Sequence, residues 1–548
     1  MKKLYFNGDF VPMTGEGDTF EALLVADDGT IAFTGSLEEA RAQAEDAEEI
    51  DLNGACLMPG LIDPHSHISG CTQYIVAADL NGAADFDEIV ERLAAFAEQR
   101  GIGEDGVIMG VSYDQNSLAE HEHPNRHVLD RVSETIPVIA VHASSHMVVA
   151  NTKLLELAGI TAETPDPEGA RYGREADGTP DGYCEEPGAM WPVFAVIQPR
   201  QKMDMDVMIG EMQDIYLENG ITTCQEGATT ADFAALFCGL ANKGLLKMDV
   251  VSYPMYGEDV DKILADHEPF VSQDYTGHFR IGGLKMFFDG SPQGRTAWMT
   301  EPYTPGDEGE GYCGYGTMTD KAAYDFMRKA IDGNHQLLAH TNGDAAADQY
   351  LRVYKRALED SPNPDKASLH PVMIHCQTAR RDQYEQMAEI NMIPSIFASH
   401  IWYWADVHLK NFGPVRGGRV SACHDALECG LPFTFHTDTP VLRPNFFEAV
   451  WCAAKRVTKG GAQLDENQKI SVYEGLKAIT VNGAFQYGEL DRKGTLEAGK
   501  LADFCIVEKN PLKIELDEVR NLRVLETVKE GETVWTRKLL CHGIGHRR

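Results

Sequence analysis

The sequence predicts an α/β fold: a (β/α)8 TIM barrel with a long insertion after its first strand, plus a small β-sandwich built from both chain ends. Three observations carry this. Short apolar runs alternate with helix-period stretches through the centre of the chain. The two ends instead alternate apolar and polar positions around Gly and Asp turns. Polar side chains that bind metals or move protons recur where the central strands stop.

The first elements come from residues 1–56, read as one part of the sandwich. MKKLYFNGDFVPMTG breaks at Asn7-Gly8-Asp9, which excludes the apolar core of a signal peptide and predicts a hairpin. The same texture returns in GKLADFCIVEKNPL (499–512) and VLETVKEGETVWTR (524–537), which places residues 491–548 in the same small domain.

Between them, 57–490 is read as the barrel. Its eight strand candidates are 57–65, 221–227, 247–255, 282–290, 336–343, 371–376, 392–399 and 431–438. Nearly continuous apolar runs of this kind fill a parallel sheet buried on both faces. The insertion, about 70–215, carries an amphipathic helix (87–100), an apolar strand (137–145) and a Gly/Pro-rich loop (163–188). Long excursions at barrel strand ends serve as lids or substrate walls.

Composition narrows the function. With 548 residues and a net charge of −37, the chain lacks the clustered cations that nucleic acid requires, so a small-molecule substrate is expected. No apolar run is long enough for a membrane span. The twelve cysteines form no C-x-x-C pair and are read as reduced thiols of a cytoplasmic protein.

The chemistry is carried by strand ends. His65 and His67 in MPGLIDPHSH stand two apart, so both imidazoles face one side of a strand and can grip one ion. Alone this is weak, and His121 and His123 in AEHEHPNRH form a second such triplet, read as surface because it is charged and broken by proline. The first triplet gains meaning from its companions. His340 ends LLAHTNGD, His375 ends VMIHCQ, and Asp438 ends FTFHTDTPV. Lys285 sits inside the apolar run GGLKMFFDG, where an unpartnered ammonium would cost several kcal/mol. In a parallel barrel all these ends meet on one rim, so six side chains converge on a divalent metal site.

PGLIDPHSH, HTDTPV and KGTLEAGKLADF (493–504) resemble the metal-dependent amidohydrolase superfamily. GGLKMFFDGSPQGRTAWMTEPY, HTNGDAAAD, HCQ and SSHMVVANTKLLELAGI resemble its amidohydrolase-3, YtcJ-like group, relatives of N-substituted formamide deformylase. The resemblance implies one or two ions per chain, zinc first, with His65 and His67 on the more buried ion and His340 and His375 on the more exposed one. It implies that Lys285 is N6-carboxylated and bridges the ions; the alternative is an unmodified lysine held by Asp289 or Glu226. It also implies attack by a metal-activated water with Asp438 as general acid and base, on a non-peptide C–N bond of a linear amide or an N-acyl or N-formyl compound. Asp63 is expected to support the ligands rather than to bind. His146, Glu186, His400 and Trp404 are expected at the substrate, with Trp402 and Tyr403 either walling the pocket or packing beneath it, and a homodimer is the expectation at family level. Deamination or lactone and ester hydrolysis would use the same site, and a metal-free scaffold is the reading of another class.

Overall fold

The computed structural model describes residues 1–538 apart from 116, 143–145, 202–203 and 307. The chain divides into two compact units, Met1–Gly70 with Met212–Arg548, and Cys71–Glu211.

The first unit is organised by parallel strands: β1 (Leu61–Ile62), β2 (Ile221–Thr229), β3 (Asp249–Pro254), β4 (Phe279–Ile281, resuming as Gly283–Phe287), β5 (Gln336–Thr341), β6 (Val372–His375), β7 (Ile393–Ile396) and β8 (Thr434–Phe435). They form two parallel sheets, β1–β2–β3 with Phe279–Ile281 and Gly283–Phe287 with β5–β8. A parallel bridge from Met255 to Lys285 links the sheets across the break in β4. Every residue of β3, β6 and β7 is buried, which explains their largely apolar sequences. Because all strands run the same way, their C-terminal ends share one side of the sheets. His67 N donates to Thr439 O at 2.7 Å, tying the chain beyond β1 to the chain beyond β8.

Two expectations at the chain ends are corrected. The single strand expected over 57–65 is two, because Cys56–Pro59 pairs antiparallel with Phe504–Val507 in a terminal sheet before β1 begins. Gly60 stands at the change of sheet, where a Cβ would lie 2.6 Å from the Thr222 side chain. The expected N-terminal hairpin is also absent. Lys3–Phe6 pairs with Ala22–Val25 and Glu48–Asp51, whereas Asp9–Phe10 pairs with Cys56–Pro59 in the other sheet. Asn7, at φ 57, turns the chain between them. Tyr5, Leu23, Ile31, Leu57, Phe504 and Val528 from both ends share one apolar core.

A network of buried charges lies at the start of β3, at the strand end opposite the histidines. Lys493 and Lys529 both reach Asp249 Oδ2, His278 Nδ1 lies 2.8 Å from Asp249 Oδ1, and Lys493 also meets Glu489 at 3.0 Å. Burial alone would raise the Asp249 carboxyl, but the two lysines hold it well below the usual range.

The second unit has a mixed sheet in the order Arg171–Arg174, Pro180–Glu185, Met147–Ala150, Val138–His142, Ile108–Tyr113, Ala78–Asp79. Both faces are covered: Ile139 and Val148 join one apolar cluster, Val138, Ala140 and Val149 the other. Helix Phe86–Arg100 covers one face, capped by Asp85 at its start and by Gly101 at φ 61 at its end. The strand expected over 137–145 is observed as Val138–His142, and 143–145 lie outside the described residues. His123 is not the surface residue expected. It is half-buried, with Nδ1 2.9 Å from Tyr113 Oη and its ring 4.8 Å from that of Tyr183.

Removing the charge from Asp249 leaves two buried ammonium groups short of a partner. Asp249→Asn is expected to lower the free energy of unfolding by about 3–5 kcal/mol, read by urea denaturation, without displacing the side chains at the other strand ends.

Candidate active site

Three candidate ligands meet beyond β1 and β8. One ligand atom each from His65, His67 and Asp438 lie within 4.8 Å of one another. Asp438 Oδ1 is 3.3 Å from both His65 Nε2 and His67 Nε2. It is nevertheless a buried oxygen that accepts no hydrogen bond among the described residues.

The His65 tautomer explains this. Gln225 Nε2 donates to Pro64 O (2.8 Å) and Tyr487 Oη (3.2 Å), which turns Gln225 Oε1 toward His65 Nδ1 at 2.8 Å. Tyr487 Oη in turn donates to Asp63 O at 2.7 Å. An amide oxygen only accepts, so His65 Nδ1 carries the proton and Nε2 is a bare lone pair. Burial, with Lys285 nearby, pushes the His65 pKa down to about 3, so the ring is neutral. A lone pair and a carboxylate oxygen facing each other without a proton between them are suited to share a cation. Gly227 makes room for the ring, since a Cβ there would lie 2.8 Å from His65 Cε1.

Lys285 is fully buried, and among the described residues its ammonium has no carboxylate at salt-bridge distance. Nζ lies 3.3 Å from His65 Nε2 and 5.2 Å from the centre of the Phe287 ring. The two carboxylates expected as partners are engaged elsewhere. Asp289 accepts from the backbone N–H groups of Trp298, Asn342 and Gly343, and Glu226 from that of Ser69. Burial therefore dominates, and the Lys285 pKa falls to about 7.

His375 Nε2 lies 3.9 Å from Asp438 Oδ2, and the His340 and His375 rings are 4.6 Å apart. His340 is looser: Nδ1 is 3.5 Å from Asp289 Oδ1 without a hydrogen bond, and Nε2 is 3.3 Å from Asn342 Nδ2. His436 was not foreseen from the sequence. Its Nε2 lies 3.0 Å from His375 Nδ1 and its Nδ1 2.8 Å from Ser395 Oγ, an imidazole chain held behind the site. The signal was present in FHTD, where His436 and Asp438 show the same two-residue spacing as His65 and His67. Gln225 and Tyr487 carry no such signal, since their role depends on tertiary contact alone. His375 (φ 79) and Asp438 (φ 51) both occupy the left-handed region of backbone space.

The model for the amidohydrolase family matches residues 48–535. The chain belongs to the amidohydrolase family. It is thus a hydrolase. Among its relatives, N-substituted formamide deformylase of Arthrobacter pascens is 27% identical over 93% of this chain and 94% of its own. Putative amidohydrolase YtcJ of Bacillus subtilis is 25% identical over 98% of this chain and 99% of its own. A solved structure of an uncharacterized metal-dependent hydrolase from Pyrococcus horikoshii shares the fold with a TM-score of 0.73, at 23% identity over 94% of this chain and 99% of that one.

In this amidohydrolase the remaining expected site residues fall in different places. Asp63 Oδ1 accepts from His65 N at 3.1 Å, and burial raises its pKa to about 8. Trp404 packs 4.4 Å from His400, and burial holds the His400 imidazole well below its usual pKa. Trp402 instead packs on Trp451 and under Arg520, and Tyr403 donates to Glu448. His146 and Glu186, in the second unit, meet each other at 3.1 Å. The sites of the cluster fit a divalent cation in donor type: neutral imidazole, carboxylate and a buried amine.

The depressed Lys285 pKa has a sign that can be measured in metal-free protein. Unfolded lysine titrates near 10.4, so between about pH 7 and about pH 10 the unfolded chain binds the extra proton. Stability should therefore rise with pH across this window, and the rise should be smaller in Lys285→Met, as read by urea denaturation of both proteins.

Proposed function

We propose that this amidohydrolase cleaves the C–N bond of a linear amide, an N-acyl or N-formyl small molecule, at a divalent metal centre held by His65, His67, Lys285, His340, His375 and Asp438. The observation that carries the reading is the buried Asp438 oxygen, 3.3 Å from two imidazole nitrogens and without a hydrogen bond of its own. The name of the Arthrobacter relative, over nearly the full length of both chains, supports an N-substituted formamide as the substrate class. We read the eight parallel strands as one (β/α)8 barrel over 57–490, interrupted by an insertion at about 70–215, with the terminal sheets forming a sandwich from 1–56 and 491–548. On a barrel the strand ends that carry these residues would form the catalytic rim.

A bound divalent cation, zinc by its nitrogen and oxygen donors, supplies Lewis acidity that acidifies a water and polarises the acyl group. The chain does the rest. Gln225 keeps the proton of His65 on Nδ1, so Nε2 is left as an acceptor, which faces Lys285 Nζ at 3.3 Å. His375 offers Nε2 when its Nδ1–H donates to His436 Nε2, whose own Nδ1–H then donates to Ser395 Oγ. Asp438 takes a proton from the attacking water as oxygen bonds to the acyl carbon. It then delivers that proton to the amide nitrogen, the C–N bond breaks, and a carboxylic acid and an amine leave.

Burial lowers the Lys285 pKa to about 7, so the amine is mostly neutral above that pH. A neutral amine adds to CO2, losing a proton to give an anionic carbamate with two oxygen donors. As a carbamate the side chain would offer two oxygen donors to the metal centre, which accounts for a buried lysine with no carboxylate at salt-bridge distance among the described residues.

Metal analysis of protein purified without chelator and in bicarbonate is expected to give about two equivalents per chain, and 13C-bicarbonate a carbamate signal that Lys285→Met lacks. Chelation should abolish hydrolysis of N-acyl and N-formyl amines, and added zinc should restore it. Asp438→Asn should lower kcat by about 10²–10⁴-fold. Metal-free protein that takes up neither zinc nor manganese, or metal-loaded protein inert toward the whole amide series, would sink the proposal.

A further inference from the structure

His400 begins the short helix His400–Tyr403 just beyond β7, and His408 lies two turns further along the chain. Both are buried, His400 at 4% and His408 at 0% exposure. Nδ1 of His400 and Nε2 of His408 are 3.1 Å apart. The two ring planes agree within 6° with centroids 5.3 Å apart, a separation that the rings reach at this contact only edge to edge. The arrangement is that of one N–H···N hydrogen bond in the common plane of both rings.

One nitrogen must donate, and His408 Nδ1 decides which. That atom is buried and has no hydrogen-bond partner among the described residues. If His400 Nδ1–H were the donor, neutral His408 would carry its proton on Nδ1, a buried N–H with nothing to receive it. If His408 Nε2–H is the donor, Nδ1 keeps only a lone pair. Orphaned buried N–H groups are the rarer arrangement, so the proton belongs on His408 Nε2. His400 then accepts at Nδ1 and carries its own proton on Nε2. Nε2 makes no hydrogen bond among the described residues, and it is not a sealed atom like His408 Nδ1. His400 touches Phe397, 4.6 Å between ring centres, and Phe397 lies 5.1 Å from His436, which places the His400 imidazole beside the metal-site cluster.

We propose that His400 and His408 form a preset hydrogen-bond donor, in which His408 fixes the tautomer of His400 and His400 offers Nε2–H to the acyl oxygen of the amide as negative charge gathers there. The assignment rests on the hydrolase reading for the identity of that oxygen, but not for the tautomer. Burial holds both rings neutral, so the donor is not lost to titration and does not compete with Asp438 as an acid. A neutral imidazole N–H can stabilise an oxyanion, but it is too weak an acid to protonate the amine. The two proton tasks are thereby divided between two residues. His400 is a catalytic residue in this scheme, and His408 is a positioning residue.

The test is 15N spectroscopy of histidine-labelled full-length, metal-loaded protein, with His400 and His408 assigned by substitution. Wild type should show both rings as Nε2–H tautomers, and His408→Phe should leave His400 a mixture. Adding 4-nitroformanilide should shift the His400 Nε2–H proton. In turnover of the same probe, His400→Phe should lose about 10²-fold or more in kcat with KM little changed, and His400→Gln, which keeps an N–H donor, should recover part of the loss. His408→Phe should lower kcat without changing metal content. A proton on His400 Nδ1 overturns the proposal, as does a probe that leaves the Nε2–H unmoved, or a His400→Phe variant that changes KM alone. Wild type that binds the probe and shifts the proton, yet hydrolyses no amide, would keep the donor and discard the hydrolase reading instead.

Discussion

The constraint on which the site depends is that nitrogen lone pairs must be kept bare inside a nearly dry interior. An imidazole is as ready to donate as to accept, and a ring left to itself would turn a proton toward Asp438 and close the cluster with a hydrogen bond. Gln225 prevents this at His65, because both amide hydrogens are engaged by Pro64 O and Tyr487 Oη and only the oxygen is left to face the ring. The same logic recurs at His375 through His436, and at His400 through His408. Three rings are thus aimed by partners that never face the reacting atoms.

These partners are held by strands that are buried along their length. β3, β6 and β7 are buried throughout, and at the other strand end Lys493 and Lys529 engage one carboxylate oxygen of Asp249 and His278 the other. The two ends treat buried charge in opposite ways. Around Asp249, cations and anions are matched. Around Asp438, a lysine is stripped of its usual partner and the carboxylate oxygen has no donor. A buried lysine without a carboxylate at salt-bridge distance and a buried carboxylate oxygen without a hydrogen bond, among the described residues, mark where a missing charge belongs.

Much of this was legible in the sequence. Each of the eight apolar runs contains a parallel strand, since burial on both faces leaves a continuous hydrophobic signature, and the six polar side chains stood out because they interrupt or end those runs. The boundary at Gly60 was not legible: Cys56–Pro59 and Leu61–Ile62 form one apolar stretch, and only sheet pairing divides it. Nor could spacing show that Asn7 throws the chain into a second sheet, because a left-handed turn and a hairpin turn use the same residues. His436 could have been read by the rule applied to His65. Gln225, Tyr487 and His408 could not, because a partner that sets a tautomer has no periodicity and gains its meaning from a neighbour distant in sequence or sealed from view.

His375 and Asp438 share one more property, a left-handed backbone at residues with full side chains. Such a conformation costs of order 1–3 kcal/mol at each position and persists only where the surroundings enforce it. Glycine would relieve it at once, and asparagine in part. The protein therefore retains at two functional positions residues that its own backbone disfavours. A search for more thermostable variants by random substitution would be drawn toward Asp438 and His375, and the most stable proteins it recovered there would be inactive. Resistance to heat and competence for chemistry are opposed at these two strand ends.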